Sequence, residues 1–418
     1  MTELHAKPSR TRRCGTGLSM SVEMHPSGIT EKRENTFKRI LQASFNPITS
    51  FGATFFSRLC SAKDGNLVMS PLSLWTALAM TEMATTEGCS AKSQLRDVLH
   101  YHLVHVIDES PCYPRQEIIY EWIQHILRII NVNSGGVQLS TANAIFCDGT
   151  IRDNYEESCQ EFFDASVIRS LQMQRINEFV AEKTNKKIEK IVSQDADGPA
   201  VLVSAAYFAA DWSLPFQDSL SYASYFTSFD LSTQECTMMV LRDRYMMYKE
   251  NLNMKVVKLP YGRLGNLTAS IVLPKQTGEQ AMREVVQQLF RDSSSWEAGM
   301  RGAQPRDVHL ELPKFEAKGD LDDIKTTMQT MKVVDVFEPG YLGSMTTDMT
   351  TRVGQISHKA AITVDEKGTT AAAVTVVETT RGISRFETVR VDRPFLFVVT
   401  HVDTSTLVFV ARVTSMKP

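Results

Sequence analysis

The sequence has none of the features that direct a chain to a membrane or a nucleic acid. No apolar run approaches the roughly 20 residues that a membrane-spanning helix needs. The formal net charge is -3, so basic residues are not in excess for binding nucleic acid or an anionic membrane. The hydrophobic fraction of 43% and the charged fraction of 22% are ordinary for a globular protein.

Motifs of enzymes and metal proteins are also missing. The chain contains no GxSxG, HExxH, P-loop or dinucleotide fingerprint, which argues against an enzyme. Its seven cysteines are scattered and odd in number and form no CxxC pair, so buried free thiols are favoured over a disulfide scaffold or a zinc site. Three histidines between positions 100 and 105 have no acidic or cysteine partner at ligand spacing. We therefore expect no metal and no cofactor.

Residues 1–42 form a polar stretch that we expect to be a disordered basic extension. Lys7, Arg10, Arg12 and Arg13 lie among Ser, Thr, Gly and Pro without the apolar core of a secretory signal. This composition favours the cytoplasm, with an extracellular location as the alternative. The sequon that begins at Asn266 falls in an expected hairpin, so chance explains it.

Apolar periodicity past residue 42 predicts helices and strands without βαβ regularity and without an internal repeat, which indicates an α+β fold with more than one sheet. Asp153 is expected to cap the helix that follows it, as Ser70 caps another. The predicted helices cover 48–59, a segment from 71, 91–99, 117–132, 153–163, 176–191 and a segment that begins near 321. The predicted strands cover 139–146, 200–208, 252–259, 267–273 (after a turn at 260–262), 308–315, 395–400 and 406–413.

The most unusual stretch runs from Val364 to Phe386. From Thr369 to Val377 it consists of small or β-branched residues without Gly, Pro or charge, which is typical of a strand and not of a surface loop. Since side chains alternate along a strand, one face is uncharged and mostly small. That face could enter a crowded interior. It carries Thr369, Ala371, Ala373, Thr375, Val377 and Thr379.

The same stretch ends in a polar segment, residues 380–385, whose Arg381 and Arg385 a trypsin-like protease could attack. On composition alone, a buried edge strand followed by a surface turn is the simpler interpretation. The flanking motifs reverse that preference. ISHKA at 356–360, VDEKGT at 364–369 and DRPFLF at 392–397 resemble, in order and spacing, the hinge region, reactive loop and C-terminal signature of the serpin family.

The resemblance covers nearly everything past residue 43. It implies one domain over 43–418, with three β-sheets, eight or nine helices and an exposed reactive-centre loop at about 366–386. It also implies a monomeric suicide-substrate inhibitor of serine proteases, in which the cleaved loop inserts into the central sheet and traps the acyl-enzyme. A non-inhibitory serpin, acting as a carrier or chaperone, and a cross-class inhibitor of cysteine proteases remain alternatives.

The family pattern can be carried onto individual positions. The hinge comprises Glu366, Gly368, Thr369, Ala371, Ala372 and Ala373. A salt bridge between Glu366 and Lys314, with Trp212 nearby, marks where the sheet first parts. A polar cluster beneath the sheet comprises Ser70, Ser73, Asn143, Ser204 and His358. Ser204 stands where the family usually has Asn, so the cluster could be weaker or differently arranged. Two other departures lie outside the cluster: Ala209-Ala210 replaces the usual Lys-Gly, and Val374 replaces the usual Ala.

The scissile bond stays open at this point. Counting along the loop from Glu366 gives Gly382-Ile383, and a hinge one residue shorter gives Arg381-Gly382. Arg suits an acidic protease pocket whereas Gly is a poor anchor, so we prefer Arg381 and a trypsin-like target. Arg385-Phe386 is the third candidate.

Overall fold

The computed structural model describes residues 46–103, 116–131, 135–195, 198–321, 324–368 and 386–417. The predicted N-terminal extension and most of the predicted reactive-centre loop, residues 369–385, lie outside these ranges.

The described part of the chain contains nine α-helices, in line with the eight or nine expected. The first two begin at side-chain caps: Asn46 Oδ1 accepts from the Thr49 amide at 3.1 Å, and Ser70 Oγ accepts from the Ser73 amide at 3.2 Å. The helices are α1 Pro47–Ala62, α2 Pro71–Ala84, α3 Ser90–Val98, α4 Gln116–Ile130, α5 Asp153–Phe163, α6 Met173–Lys183, α7 Glu279–Leu289, α8 Ser293–Met300 and α9 Ile324–Thr330.

Fourteen strands alternate with these helices in the described ranges. They are β1 Leu67–Met69, β2 Val137–Cys147, β3 Ser166–Ile168, β4 Ala200–Ala210, β5 Tyr222–Thr227, β6 Thr233–Glu250, β7 Met254–Tyr261, β8 Leu267–Pro274, β9 Gln304–Pro313, β10 Phe315–Leu321, β11 Val353–Val364, β12 Glu387–Arg390, β13 Phe395–His401 and β14 Thr406–Val413.

Five strands form one sheet in the order β10-β11-β4-β2-β3. Its central pair, β11 and β4, is parallel, while β10 is antiparallel to β11 and β2 is antiparallel to β4. Every residue of β4 is buried, as its continuous apolar sequence predicts for a strand covered on both faces. We call the β11–β4 boundary the central seam.

The other strands form a nine-stranded sheet that contains β1, β14, β13, β8, β7, β6, β9 and β12 in sequence, with β5 paired to β6. The 18-residue β6 pairs with β5, β7 and β9 along different parts of its length. Because β6 runs from one group of strands into the next, two of the three sheets expected from the resemblance share a continuous hydrogen-bonded ladder.

Helix α2 connects the two sheets. All of its residues are buried, and it contacts β2 and β4 on one side and β14 on the other. Gly319 of β10 lies against the backbone of Val68 in β1, so closely that a Cβ there would overlap the Val68 carbonyl. The N-terminus of α2 is thus fixed directly beneath the central seam.

Helix α6 and the segment that follows it cover the outer face of the five-stranded sheet. The predicted helix over 176–191 was too long: α6 ends at Lys183, and Asn185 and Lys186 have left-handed φ values of 51° and 60°. The chain therefore turns back, and its apolar side chains pack on β2 and β4. The residues of this second segment in the core are Ile188, Ile191 and Val192.

Three other boundaries differ from the prediction. Asp153 is the first residue of α5 and not its cap; Arg152 holds the cap position without a side-chain hydrogen bond, and the carboxylate acts on the helix dipole instead. Strand β7 continues through Pro260 to Tyr261, so the turn spans 262–266. The helix expected near 321 begins at Ile324, because 315–321 forms β10.

Candidate functional site

The chain leaves β11 through a tight turn over Asp365–Gly368, which the residues after β4 hold in place. The Asp365 and Gly368 backbones bond to each other at 3.1 and 3.3 Å. The amide of Trp212 donates to the Lys367 carbonyl at 3.0 Å, and its indole Nε1 donates to the Asp365 carbonyl at 2.9 Å. The start of the predicted reactive-centre loop is therefore held at the C-terminal end of β4.

The Trp212 side chain is almost fully buried at this position. Its ring stacks on Tyr261 with centroids 4.2 Å apart and planes 12° apart, and it meets Phe216 and Phe397 edge-on. Phe216 also donates its backbone amide to the Glu366 carbonyl at 2.8 Å. This aromatic group gives the turn a rigid base.

Glu366 forms the predicted pair with Lys314. The Lys314 Nζ lies 3.0 Å from Glu366 Oε2, and Ser221 Oγ donates to Oε1, also at 3.0 Å. Burial alone would raise the pKa of Glu366, but the hydrogen bonds from Lys314 and Ser221 outweigh it and hold that pKa below its usual value. Hydrogen bonding to Glu366 raises the pKa of Lys314.

Gly368 stands where the described part of the loop ends, and the backbone requires glycine there. Its φ is +113°, and a Cβ would lie 2.5 Å from the Trp212 nitrogen and closer still to the Ala210 carbonyl oxygen. Gly368, a residue of the predicted hinge, is thus in contact with the end of β4, beside the central seam.

The predicted polar cluster lies midway along the seam, in a row across three strands. Asn143 of β2 is paired with Ser204 of β4, and Ser204 is paired with His358 of β11. Ser73 Oγ, from the first turn of α2, is 2.9 Å from Asn143 Oδ1 and 3.0 Å from Ser204 Oγ. All of these side chains are buried.

The available donors determine which atom donates in each hydrogen bond of the polar cluster. The Ser70 amide donates to His358 Nε2 at 3.0 Å, so Nε2 carries no proton and Nδ1 donates to Ser204 Oγ at 3.0 Å. Ser73 donates to the Asn143 oxygen, which leaves Ser204 to donate to Ser73. One hydroxyl therefore both accepts and donates, and the bond from His358 to Ser204 crosses the central seam.

The geometry requires a neutral imidazole. His358 is completely buried, and this burial lowers its pKa to about 4. Ser70 Oγ completes the cluster by donating to the Val408 carbonyl at 2.8 Å, which ties α2 to β14. The cluster can hold the seam closed at neutral pH but offers no exposed group for acid–base catalysis.

The structure brings together the residues predicted around Glu366 and those of the polar cluster. The remaining predicted residues of the hinge and the scissile bond lie outside the described residues. They are Thr369, Ala371, Ala372, Ala373, Arg381, Gly382, Ile383 and Arg385. Phe386, the last residue of the third candidate bond, is described and is 54% exposed. Sequence reasoning missed Ser221, whose hydroxyl bonds to Glu366 across 145 positions. One serine among many carries no pattern that could have identified it.

The described ranges lack two further kinds of feature. No group of three or more His, Cys, Asp or Glu side chains in these ranges is placed to hold a metal ion. No helix in the described part of the chain is long and apolar enough to cross a membrane.

Comparisons with known proteins agree on one family. The sequence model of the family described as "Serpin (serine protease inhibitor)" matches residues 46–416. Serpin A3-1 of Bos taurus is 30% identical over 386 residues, which cover 88% of each chain, and alpha-1-antichymotrypsin of Homo sapiens is 27% identical over 96% of each.

Solved structures share the fold. Human thyroxine-binding globulin superposes with a TM-score of 0.78 at 22% identity, over 90% of this chain and 100% of the other. The thermophilic serpin tengpin in its native state gives 0.76 at 23% identity, over 88% and 93%. The predicted family and α+β fold are confirmed: this chain belongs to the serpin family.

Proposed function

We propose that this protein is a suicide-substrate inhibitor of serine proteases with trypsin-like specificity. The protease serine attacks the Arg381 carbonyl, the bond to Gly382 breaks, and Gly382 leaves with a free amine. Arg381 then remains ester-linked to the protease. The loop that bears this ester inserts into the five-stranded sheet and carries the protease with it before water can release it.

The direction of the strands at the central seam carries this proposal. Strands β11 and β4 are parallel, and the chain leaves β11 through the turn at Asp365–Gly368. A segment that folds back from this turn runs antiparallel to β11 and hence to β4. Such a strand can form antiparallel ladders on both sides, which are slightly more stable per residue than the parallel ladder they replace.

The composition of residues 369–379 fits that path. An inserted strand buries alternate side chains, and burying an unpaired charge costs several kcal/mol. The uncharged face that starts at Thr369 and includes Ala371 and Ala373 avoids that cost. Gly368 brings this segment to the edge of β4, so insertion can begin without a long rearrangement of the chain.

Opening the seam also requires the polar cluster to exchange partners. The bond between His358 and Ser204 spans the two strands that must separate. Ser73 bonds both to Ser204 and to Asn143, and these two bonds do not cross the seam. Separation therefore breaks one side-chain hydrogen bond at the cluster, which the inserted strand or Ser204 itself must compensate.

Incubation with trypsin followed by a denaturing gel tests the proposal. We expect a band at the summed mass of inhibitor and protease that survives the denaturant, and mass spectrometry of the released C-terminal peptide should show Gly382 at its N-terminus. Arg381→Ala should abolish the complex, and the matched variant Arg385→Ala should retain it. Normal complex formation by Arg381→Ala would assign the bond to one of the other two positions.

A hinge variant separates trapping from cleavage. Ala371→Glu places a charge on the inserting face without adding a trypsin site, so trypsin should cleave this variant at the loop without forming a complex. If the unmodified chain itself is cleaved by trypsin, chymotrypsin, elastase and a papain-type enzyme without complex or gain in thermal stability, the protein is a non-inhibitory serpin. A stable complex with the papain-type enzyme alone would identify a cross-class inhibitor.

A further inference from the structure

A cavity of about 720 Å³ lies between helix α8 and the sheet strands β7, β8 and β13, and none of its lining residues belongs to the predicted loop. Its volume falls in the range of about 300–1,000 Å³ that is usual for sites that bind a ligand. Its wall combines apolar side chains with charges of both signs. Among them are Trp296, Met300, Val402, Glu297, Arg301 and Asp403.

The cavity wall includes exposed apolar side chains and a polar atom without a hydrogen-bond partner. Val402 is 52% exposed and Met247 40% exposed, although both are large and apolar. Within the described residues, the Thr400 hydroxyl is buried and has no hydrogen-bond partner. Burial raises the pKa of Glu297, although Arg301 opposes this. The lining also includes Lys258 beside Arg301, so the wall carries both signs of charge and favours an occupant that is apolar in part and carries polar or charged groups.

The chain itself supplies a segment at the rim. Asn46, the first described residue, donates from Nδ2 to the Thr404 carbonyl at 2.9 Å and to Thr406 Oγ1 at 2.8 Å. Thr49 donates to the Ser405 carbonyl at 2.6 Å. Since Ser405 and its neighbour Asp403 line the cavity, the 45 residues before Asn46 depart from the cavity's edge.

The sequence just before Asn46 has the composition that the wall requires. Phe37, Ile40, Leu41 and Phe45 are apolar at spacings of three, one and four, which gives a single apolar face in a helical segment. Lys38 and Arg39 lie between them and can face Glu297 and Asp403. Leu41 lies five residues before Asn46, which is about 7 Å along a helix and at most about 17 Å along an extended chain, so it can enter the cavity from the rim in either form.

We propose that residues 37–45 of this chain occupy the cavity, with Ile40 and Leu41 packed against Trp296 and Met300. The segment then covers the exposed part of Val402 and supplies Lys38 and Arg39 to the acidic side chains of the wall. It joins the N-terminal extension to α8 and to the turn between β13 and β14. This inference does not depend on protease inhibition, because it concerns a different face of the protein.

Hydrogen exchange of the full-length chain, followed by mass spectrometry, tests the docking. The variant Phe37→Ser/Ile40→Ser/Leu41→Ser should increase exchange in the peptides that cover α8 and residues 402–405 by about tenfold, because their cover is lost. The matched control Leu18→Ser/Met20→Ser/Met24→Ser removes three apolar side chains farther from Asn46 and should leave both peptides unchanged. Equal exchange in all three proteins would overturn the proposal.

A variant on the cavity side gives a second test. Val402→Arg places a charge at the rim and should increase exchange in a peptide covering residues 37–45, and no effect there would also contradict docking. Two other occupants have distinct signatures, and either would refute the proposal. A small molecule would appear as added mass in native mass spectrometry that disappears on denaturation, and a second copy would appear as a dimer in sedimentation velocity.

Discussion

Replacing His358 with Gln should reduce the pH dependence of stability, and the size of the effect follows from its burial. The folded-state pKa of about 4 lies below the ordinary value of 6.5, so between these values the unfolded chain binds more protons than the folded one. The stability that His358 contributes is therefore complete above pH 6.5 and is lost as the pH falls toward 4. From pH 6.5 to 5 the loss is about 2 kcal/mol.

Urea-induced unfolding at pH 7 and pH 5 measures this difference. His358→Gln should be less stable at pH 7 but should lose about 2 kcal/mol less than the unmodified protein on going to pH 5. Ser73→Ala is the matched control, since it removes a hydroxyl that bonds to Ser204 and not to His358. It should lower stability by about 1 kcal/mol at both pH values. Equal pH dependence in the unmodified protein and in His358→Gln would refute the reasoning.

Three further changes have defined outcomes. Glu366→Gln removes the charge that pairs with the half-exposed Lys314, so stability at pH 7 should fall by no more than about 1 kcal/mol. In acid titration this difference should shrink as the pH falls below 4.5 and vanish once the pH is below the lowered pKa of Glu366. Gly368→Ala should lower the melting temperature, because the methyl group overlaps the Ala210 carbonyl; an unchanged value would contradict the observed turn. Asn177→Ala should increase hydrogen exchange at residues 191–192, whose amides donate to its side chain, without affecting α9.

Secondary structure could be predicted from the sequence mainly where a single segment contains the complete hydrophobic pattern of a helix or strand. The strands at 395–400 and 406–413 match β13 and β14 within one residue, because both are continuous apolar runs bounded by a turn. By contrast, β6 has no simple alternation, since its pairing changes between β5, β9 and β7 along its length. The end of α6 was missed for a similar reason: Ile188 and Ile191 continue a helical spacing but are buried after a reversal of the chain.

The candidate site depended on the family resemblance, because its partners are far apart in sequence. Lys314 and Glu366 are separated by 52 residues, and Ser204 and His358 by 154. No periodicity relates such positions, so composition and spacing alone would have left each as an ordinary polar residue. The resemblance supplied the pairs but not Ser221, which the structure adds as a third partner at Glu366.

Ser204 is one of three places where the sequence departs from the pattern that the resemblance implies, and the structure explains how the chain accommodates the change. The serine side chain is shorter than that of Asn, yet its Oγ lies 3.0 Å from both His358 Nδ1 and Ser73 Oγ. It reaches both because Ser204 lies on the middle strand of the three, β4, next to His358 on β11. It has only one proton, which is directed to Ser73, so its contact across the seam relies on the His358 proton. The Ser70 amide donates to Nε2 of His358, and this bond fixes the tautomer in which Nε2 carries no proton and Nδ1 carries one. The strength of the seam at this level therefore rests on the first turn of α2 and not on β4 itself, and a change that displaces Ser70 should loosen the sheet as effectively as loss of Ser204.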